Sequence, residues 1–90
     1  MGTAIIKLKV MPNSPETNLE VIQKEIERIV AENSGKMGKL EIEPIAFGLK
    51  AIIATFTWPE EIETEKFEKA ISSINNVSSV QIIDFRRAFG

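Results

Sequence analysis

The most informative run in the chain is Lys39-Leu40-Glu41-Ile42-Glu43-Pro44-Ile45-Ala46-Phe47-Gly48-Leu49-Lys50-Ala51-Ile52-Ile53-Ala54-Thr55-Phe56-Thr57-Trp58. From Lys39 to Phe47 apolar and charged residues alternate, with Leu40 and Ile42 opposite Lys39, Glu41 and Glu43. That period of two belongs to a strand with one wet face. Pro44 lies inside the run and donates no ladder bond, so the strand sits at a sheet edge or carries a bulge. Gly48 permits a tight reversal. Leu49 to Trp58 then follows as a longer strand, apolar on both faces and rich in β-branched residues, which places it centrally. The two runs read as a hairpin.

Working outward from it, helices flank the hairpin on both sides. Upstream, Leu19, Ile22, Ile26, Ile29 and Val30 form one helical stripe with Glu20, Lys24, Glu27, Arg28 and Glu32 on the wet side. Thr17-x-x-Glu20 has the form of a capping box at its start, and Ser34-Gly35 ends it with glycine expected in the left-handed conformation. Downstream, Trp58-Pro59 and an acidic loop of Glu60, Glu61 and Glu63 precede Phe67, Ala70, Ile71 and Ile74 at helical spacing, with Thr64 as the expected N-cap. Acidic Glu63 and Glu65 suit the positive end of that helix dipole. Asn75-Asn76 closes it.

A strand lies beyond each helix. Ala4, Ile6, Leu8 and Val10 alternate against Thr3, Lys7 and Lys9, with Ile5 out of pattern, until Met11-Pro12-Asn13-Ser14-Pro15 stops the run. Val77 to Phe85 is the last strand; Val80 and Ile82 occupy one face, Ile83 and Phe85 the other, a phase change that calls for a bulge or burial on both faces. The order is β-α-β-β-α-β. Two helices that must both cover strands lie together on one sheet face, and right-handed crossovers give an α+β, ferredoxin-like sandwich of a four-stranded antiparallel sheet under two helices. Strands one and three are then central and strands two and four are edges. The open face carries Ile5, Lys7, Lys9, Lys39, Glu41, Glu43 and Thr55.

Composition narrows the function. Ninety residues of 10.1 kDa make a single domain, residues 1–90. With no Cys and no His, thiolate nucleophiles, disulfides, Cys or His metal sites and imidazole bases are excluded. No apolar run reaches the roughly 20 residues of a membrane span, and Lys7 and Lys9 interrupt the early apolar stretch as no signal peptide does. The expected compartment is the cytoplasm, without membrane association. Eleven Lys and Arg against 13 Asp and Glu leave a charge of −2, unlike a protein that binds nucleic acid through a dense basic surface.

The inventory for bond chemistry is thin. Asp84 is the sole aspartate and the 12 Glu are scattered. Glu41 and Glu43 share a strand face about 7 Å apart; a divalent cation between them competes with the simpler reading of a charged edge that discourages strand addition. Gly35-Lys36-Met37-Gly38-Lys39 lacks the spacing of a phosphate loop. No nucleophile and base pair up, so no catalytic residue, metal site or cofactor is expected. Two features remain. Phe47 beside Gly48 at the hairpin turn is a candidate anchor for a partner, against a ring folded back over the sheet rim. Arg86-Arg87, flanked by Phe85 and Phe89, can serve an anionic site on a partner, against a solvated tail. Being consecutive on a strand, the two arginines point to opposite faces.

Three segments together, Ile6-Lys7-Leu8-Lys9-Val10-Met11-Pro12 with Ser14-Pro15, Glu43-Pro44-Ile45-Ala46-Phe47-Gly48-Leu49, and Asp84-Phe85-Arg86-Arg87, resemble archaeal translation elongation factor 1-beta over essentially the whole chain, in its stand-alone form without an added N-terminal domain. The resemblance implies guanine-nucleotide exchange, GDP for GTP, on elongation factor 1-alpha, by binding alone. It implies that Phe47 is the hairpin aromatic that presses on the GTPase. Arg87 stands where eukaryotic relatives carry a C-terminal lysine that intrudes at the GTPase's Mg²⁺ site, with Ala88-Phe89-Gly90 running past it and Arg86 as the neighbouring cation. The expected partner is that GTPase, met by a monomer, with no direct nucleic-acid contact. Since strands two and four are antiparallel, Phe47 and Arg87 fall at opposite ends of the sheet, about 20–25 Å apart for strands of about seven residues. Two rivals differ in class: an RNA-binding module that stacks bases on its open face, and a small-ligand regulatory domain that dimerises through sheet edges.

Overall fold

The computed structural model describes residues 2–88. Its elements are β1 (Thr3–Pro12), α1 (Leu19–Glu32), β2 (Lys36–Pro44), β3 (Lys50–Pro59), α2 (Thr64–Ser72) and β4 (Val77–Ala88). They form one four-stranded sheet in the order β2-β3-β1-β4, antiparallel at every pairing. The ferredoxin-like arrangement and its central and edge strands follow as expected. Pro44 is the last residue of edge strand β2, where its missing N–H costs no ladder bond.

Both helices cover one face. Alternation in β1 buries Ala4, Ile6, Leu8 and Val10 against Ile22, Ile26, Ile29 and Val30 of α1, Phe67 and Ile71 of α2, and Ile52, Ala54, Phe56 and Trp58 of β3. Phe56, Trp58 and Phe67 pack edge to face, with ring centroids 4.8–6.3 Å apart, an arrangement that adds to area burial. The Trp58 indole N–H donates to the Ile62 carbonyl at 2.9 Å. Each large ring or Ile buried here is worth about 1.5–3 kcal/mol. On the wet face of α1, Arg28 reaches Glu25 at 2.9 Å and Glu32 at 3.0 Å. Its hydrogen bond holds the Glu25 carboxyl below the usual glutamate range.

Four helix boundaries differ from expectation: α2 ends at Ser72 rather than at Asn75-Asn76, so Ile74 packs on the core from the turn that follows, and three others differ for local reasons. The N-cap of α1 is Asn18, whose side chain accepts from the Glu20 N–H at 3.1 Å. Thr17 is instead drawn into the preceding turn, its N–H bonded to the Ser14 carbonyl, so the capping box does not form. Glu63 caps α2 without a side-chain bond, and Thr64 is its first helical residue. At the end of α1, Ser34 rather than Gly35 takes the left-handed conformation, with φ of 66°. Ser34 N–H bonds the Ala31 carbonyl and Gly35 N–H the Val30 carbonyl, the paired bonds of a Schellman motif. Gly35 is needed for space: a Cβ there would run into the Thr57 carbonyl and stand 2.8 Å from Val30 Cγ1.

The edge strands differ from the alternation in extent: β4 continues to Ala88, and β2 is displaced toward the N-terminus, starting at Lys36. β2 also stops at Pro44, leaving Ile45 to Phe47 in the turn. Each edge carries a register shift. In β4 the pairing steps from Leu8↔Ile82 to Lys7↔Asp84, so Ile83 is the extra residue behind the phase change. Phe85 then pairs with Ile6, on the face of Val80 and Ile82 rather than on that of Ile83 as expected, and remains half exposed. In β2 it steps from Met37↔Phe56 to Lys39↔Thr55, with Gly38 as the extra residue.

Candidate functional site

The hairpin tip is built against local preference. The Leu49 N–H bonds the Ala46 carbonyl at 3.1 Å and the Ile45 N–H bonds the Leu49 carbonyl at 2.7 Å. Between them Phe47 and Gly48 have φ of 60° and 78°. Positive φ at both central positions is what a type I′ turn requires, and Asn-Gly is its preferred pair. A bulky L-residue there costs about 1–2 kcal/mol. The phenyl recovers none of that by burial, because Phe47 is 93% exposed. Phe47 does not fold back over the rim.

Behind the tip stands the turn between β1 and α1. An added Cβ on Gly48 would meet Pro15 at 3.7 Å, an ordinary contact, so this glycine is required for its conformation. The backing turn is tied by Glu16 N–H to Ser14 Oγ, Thr17 Oγ1 to Asn13 Oδ1, and Asn13 N–H to the Asn76 carbonyl at 2.9 Å. Phe47 therefore projects from a supported platform.

At the other end of the sheet, the register separates the two arginines. Arg86 pairs with Ile5 on the open face and Arg87 with Ala4 on the helix side. The Ile83 bulge sets this choice; without it the two would exchange faces. Arg86 donates to Asp84 Oδ2 at 3.0 Å. Arg87 pairs with Glu60 Oε2 at 2.9 Å, while its own side chain stays 81% exposed. Glu60 is held in turn by its N–H bond to the Gly2 carbonyl at 3.0 Å, and a Cβ on Gly2 would strike its carboxylate. In the sequence Glu60 is simply one residue of an acidic loop. Its pairing with Arg87 depends on the register that puts Pro59 opposite Thr3 and Ala88 beside it, which no local pattern announces. Phe89 and Gly90 lie outside the described residues.

Phe47 and Arg87 thus occupy opposite ends. From Lys50 beside the turn to Trp58, in the same row as Ala4 and Arg87, is about 26 Å of strand. That exceeds the separation expected from shorter strands, in a molecule 42 Å long. The two candidate ends form no common pocket. Of Glu41 and Glu43, the second lies 3.8 Å from Lys9, and among the described residues no three His, Cys, Asp or Glu side chains cluster to hold a metal. No aromatic ring of the described residues lies on the open face, which carries Ile5, Lys7, Lys9, Lys39, Glu41, Glu43 and Thr55 as expected.

Comparison with known proteins matches residues 5–88 to the EF-1 guanine nucleotide exchange domain family. The chain belongs to this family. The elongation factor 1-beta of Methanothermobacter thermautotrophicus is 39% identical over 88 residues, covering 97% of this chain and 98% of that protein. The corresponding proteins of Methanosarcina barkeri and Sulfolobus acidocaldarius are 38% and 39% identical, over 97% and 92% of this chain and 99% and 93% of theirs. Among solved structures, the C-terminal domain of the MgtC protein from Mycobacterium tuberculosis superposes with a TM-score of 0.71 at 13% identity, covering 98% of this chain and 90% of that one; this likeness concerns the fold alone. As a member of the elongation factor 1-beta family, the chain is a guanine-nucleotide exchange factor of translation elongation.

Proposed function

We propose that this chain is a single-domain factor, monomeric and cytoplasmic, that speeds GDP release from elongation factor 1-alpha by binding alone. Phe47 presses on the GTPase at one end of the sheet; Arg87, with Arg86 beside it, brings positive charge to the nucleotide site at the other. No cofactor, nucleic acid or membrane takes part. A GTPase holds its nucleotide largely through phosphates and Mg²⁺, so a cation placed there opposes metal and nucleotide together. Linkage is reciprocal, and rebinding of nucleotide expels the factor. Each 1.4 kcal/mol of opposition, if felt in the release barrier, gives about tenfold in rate. Ends about 26 Å apart call for an extended interface of standard size.

The observation that carries the reading is Phe47, held at φ of 60° and 93% exposed. A costly backbone state that displays a ring to solvent stabilises nothing within the chain, and such outliers mark functional positions. Release of a fluorescent GDP from the GTPase, with and without the factor, tests it. Phe47→Ala is expected to lower the stimulated rate by about tenfold or more with the circular dichroism spectrum unchanged, and Arg87→Ala to lower it as well. Wild-type rates in Phe47→Ala would remove that side chain from the mechanism. No acceleration by the unaltered chain would remove the reading.

A further inference from the structure

The charges of the chain divide between its two layers. Residues 16–32 and 60–72, the helices with adjoining turns, hold ten carboxylates and four cations, a balance of −6. Everything else, the strands and hairpin, holds seven cations and three carboxylates, a balance of +4. A net charge of −2 conceals this dipole.

On the open sheet face the cations are concentrated toward the Arg86 end. Cross-strand rows run Lys36–Thr57–Ile5–Arg86 and Lys39–Thr55–Lys7–Asp84. Lys36 and Lys39, three positions apart, share this face because the Gly38 bulge restores the phase between them. Lys39 and Lys7 are two strands apart, about 10 Å. Lys9 is engaged by Glu43 and Arg86 by Asp84, whereas Lys7, Lys36 and Lys39 have no carboxylate within 4.0 Å among the described residues. Three ammonium groups outside these ion pairs thus surround two threonines on a flat surface.

We propose that the lysine triangle Lys7, Lys36 and Lys39 docks onto an acidic surface of the GTPase, so that the open sheet face turns toward the partner and the helical layer away from it. This rests on the exchange reading above and adds the surface that spans the two ends. Of the two arginines Arg86 lies on this docking face, and Arg87, on the helix side at the end of edge strand β4, meets the partner from its rim. A protein fits better than a nucleic acid. The half of the face nearer the hairpin carries Glu41 and Glu43, which a continuous phosphate backbone would meet. Among the described residues the face also offers no ring for base stacking. A surface of both signs suits a protein surface of complementary pattern. The −6 helical layer repels the same acidic partner, so orientation is selected at encounter.

Association of the full chain with the GDP-bound GTPase, followed by stopped flow at several ionic strengths, tests the proposal. Lys36→Glu with Lys39→Glu is expected to slow association at low salt by about tenfold or more and to flatten its salt dependence. Lys36→Gln with Lys39→Gln, which cannot repel, should show a smaller loss of the same kind. Lys66→Glu with Lys69→Glu on α2 changes the net charge by the same amount as the first variant and is expected to alter the rate by less than about twofold. Equal slowing by both reversals, or none by the sheet variants, overturns the proposal while leaving exchange intact. Duplex RNA bound in a gel shift by the unaltered chain and lost in the sheet variants, with GTPase association unchanged, assigns the triangle to nucleic acid and overturns it too. An unaltered chain that does not associate with the GTPase defeats this proposal together with the exchange reading.

Discussion

Ser34-Gly35 and Phe47-Gly48 each place a non-glycine residue in the left-handed region immediately before a glycine. Their first φ values are almost the same, 66° and 60°. The surroundings differ. Ser34 is a small polar residue in a Schellman turn whose two backbone bonds both form, and the helix end is satisfied by the conformation it adopts. Phe47 is a large aromatic that turn chemistry disfavours, in a reversal that Asn would make more easily. The glycines differ as well. Gly35 has no unusual φ and is required by the closeness of Thr57 and Val30, whereas Gly48 has room around it and is required by its φ of 78°. The first turn is explained by folding. The second is explained only when something outside the chain receives the ring.

Substitution of each glycine by alanine separates space from conformation. Gly35→Ala is expected to have the largest effect on stability, about 2–3 kcal/mol, because a strand carbonyl and a buried valine cannot yield together. Thermal unfolding should fall by about 10 °C or more for a domain of this size. Stimulated GDP release per folded molecule should be unchanged. A Gly35→Ala variant as stable as the parent would mean that β3 can shift away at Thr57 without loss, and that crowding does not set this turn. Gly48→Ala ranks second, about 1–2 kcal/mol by denaturant unfolding, with exchange reduced because the platform under Phe47 is altered. Were Gly48→Ala the more damaging of the two, the assignment of space to one turn and conformation to the other would be reversed.

The same contrast explains what was legible in the sequence. Element order, the open face and the interruption at Ile83 follow from periodicity, which depends on neighbours along the chain. A glycine after α1 was equally plain. Its reason was not, since the colliding carbonyl belongs to Thr57, on a strand reached only after the hairpin. The Gly38 shift has no signature in the sequence, because Lys36-Met37-Gly38-Lys39 has no phase to break. Asn18 displaced Thr17 as cap because the Pro15 turn claimed the threonine first. At the site, Phe47 and the arginines were visible as residue types. The strain at Phe47, the Glu60 partner of Arg87 and the place of Lys36 on the open face depend on the register.

The smallest shift in stability is expected from a matched pair, Ser34→Gly and Phe47→Gly, and it is the most discriminating comparison. Both variants make the same change to the backbone. Each relieves the left-handed penalty on an L-residue, and each gives the unfolded chain more freedom, worth about 0.5–1 kcal/mol in the opposite direction. The terms largely offset, so both proteins should be as stable as the parent or more stable by up to about 1.5 kcal/mol. Exchange should then divide them: Ser34→Gly releases GDP at the parental rate, and Phe47→Gly loses at least as much as Phe47→Ala. If Phe47→Gly instead destabilised the fold well beyond Ser34→Gly, the ring would be contributing to folding in spite of its exposure, and the strain at the hairpin tip would need no partner to account for it.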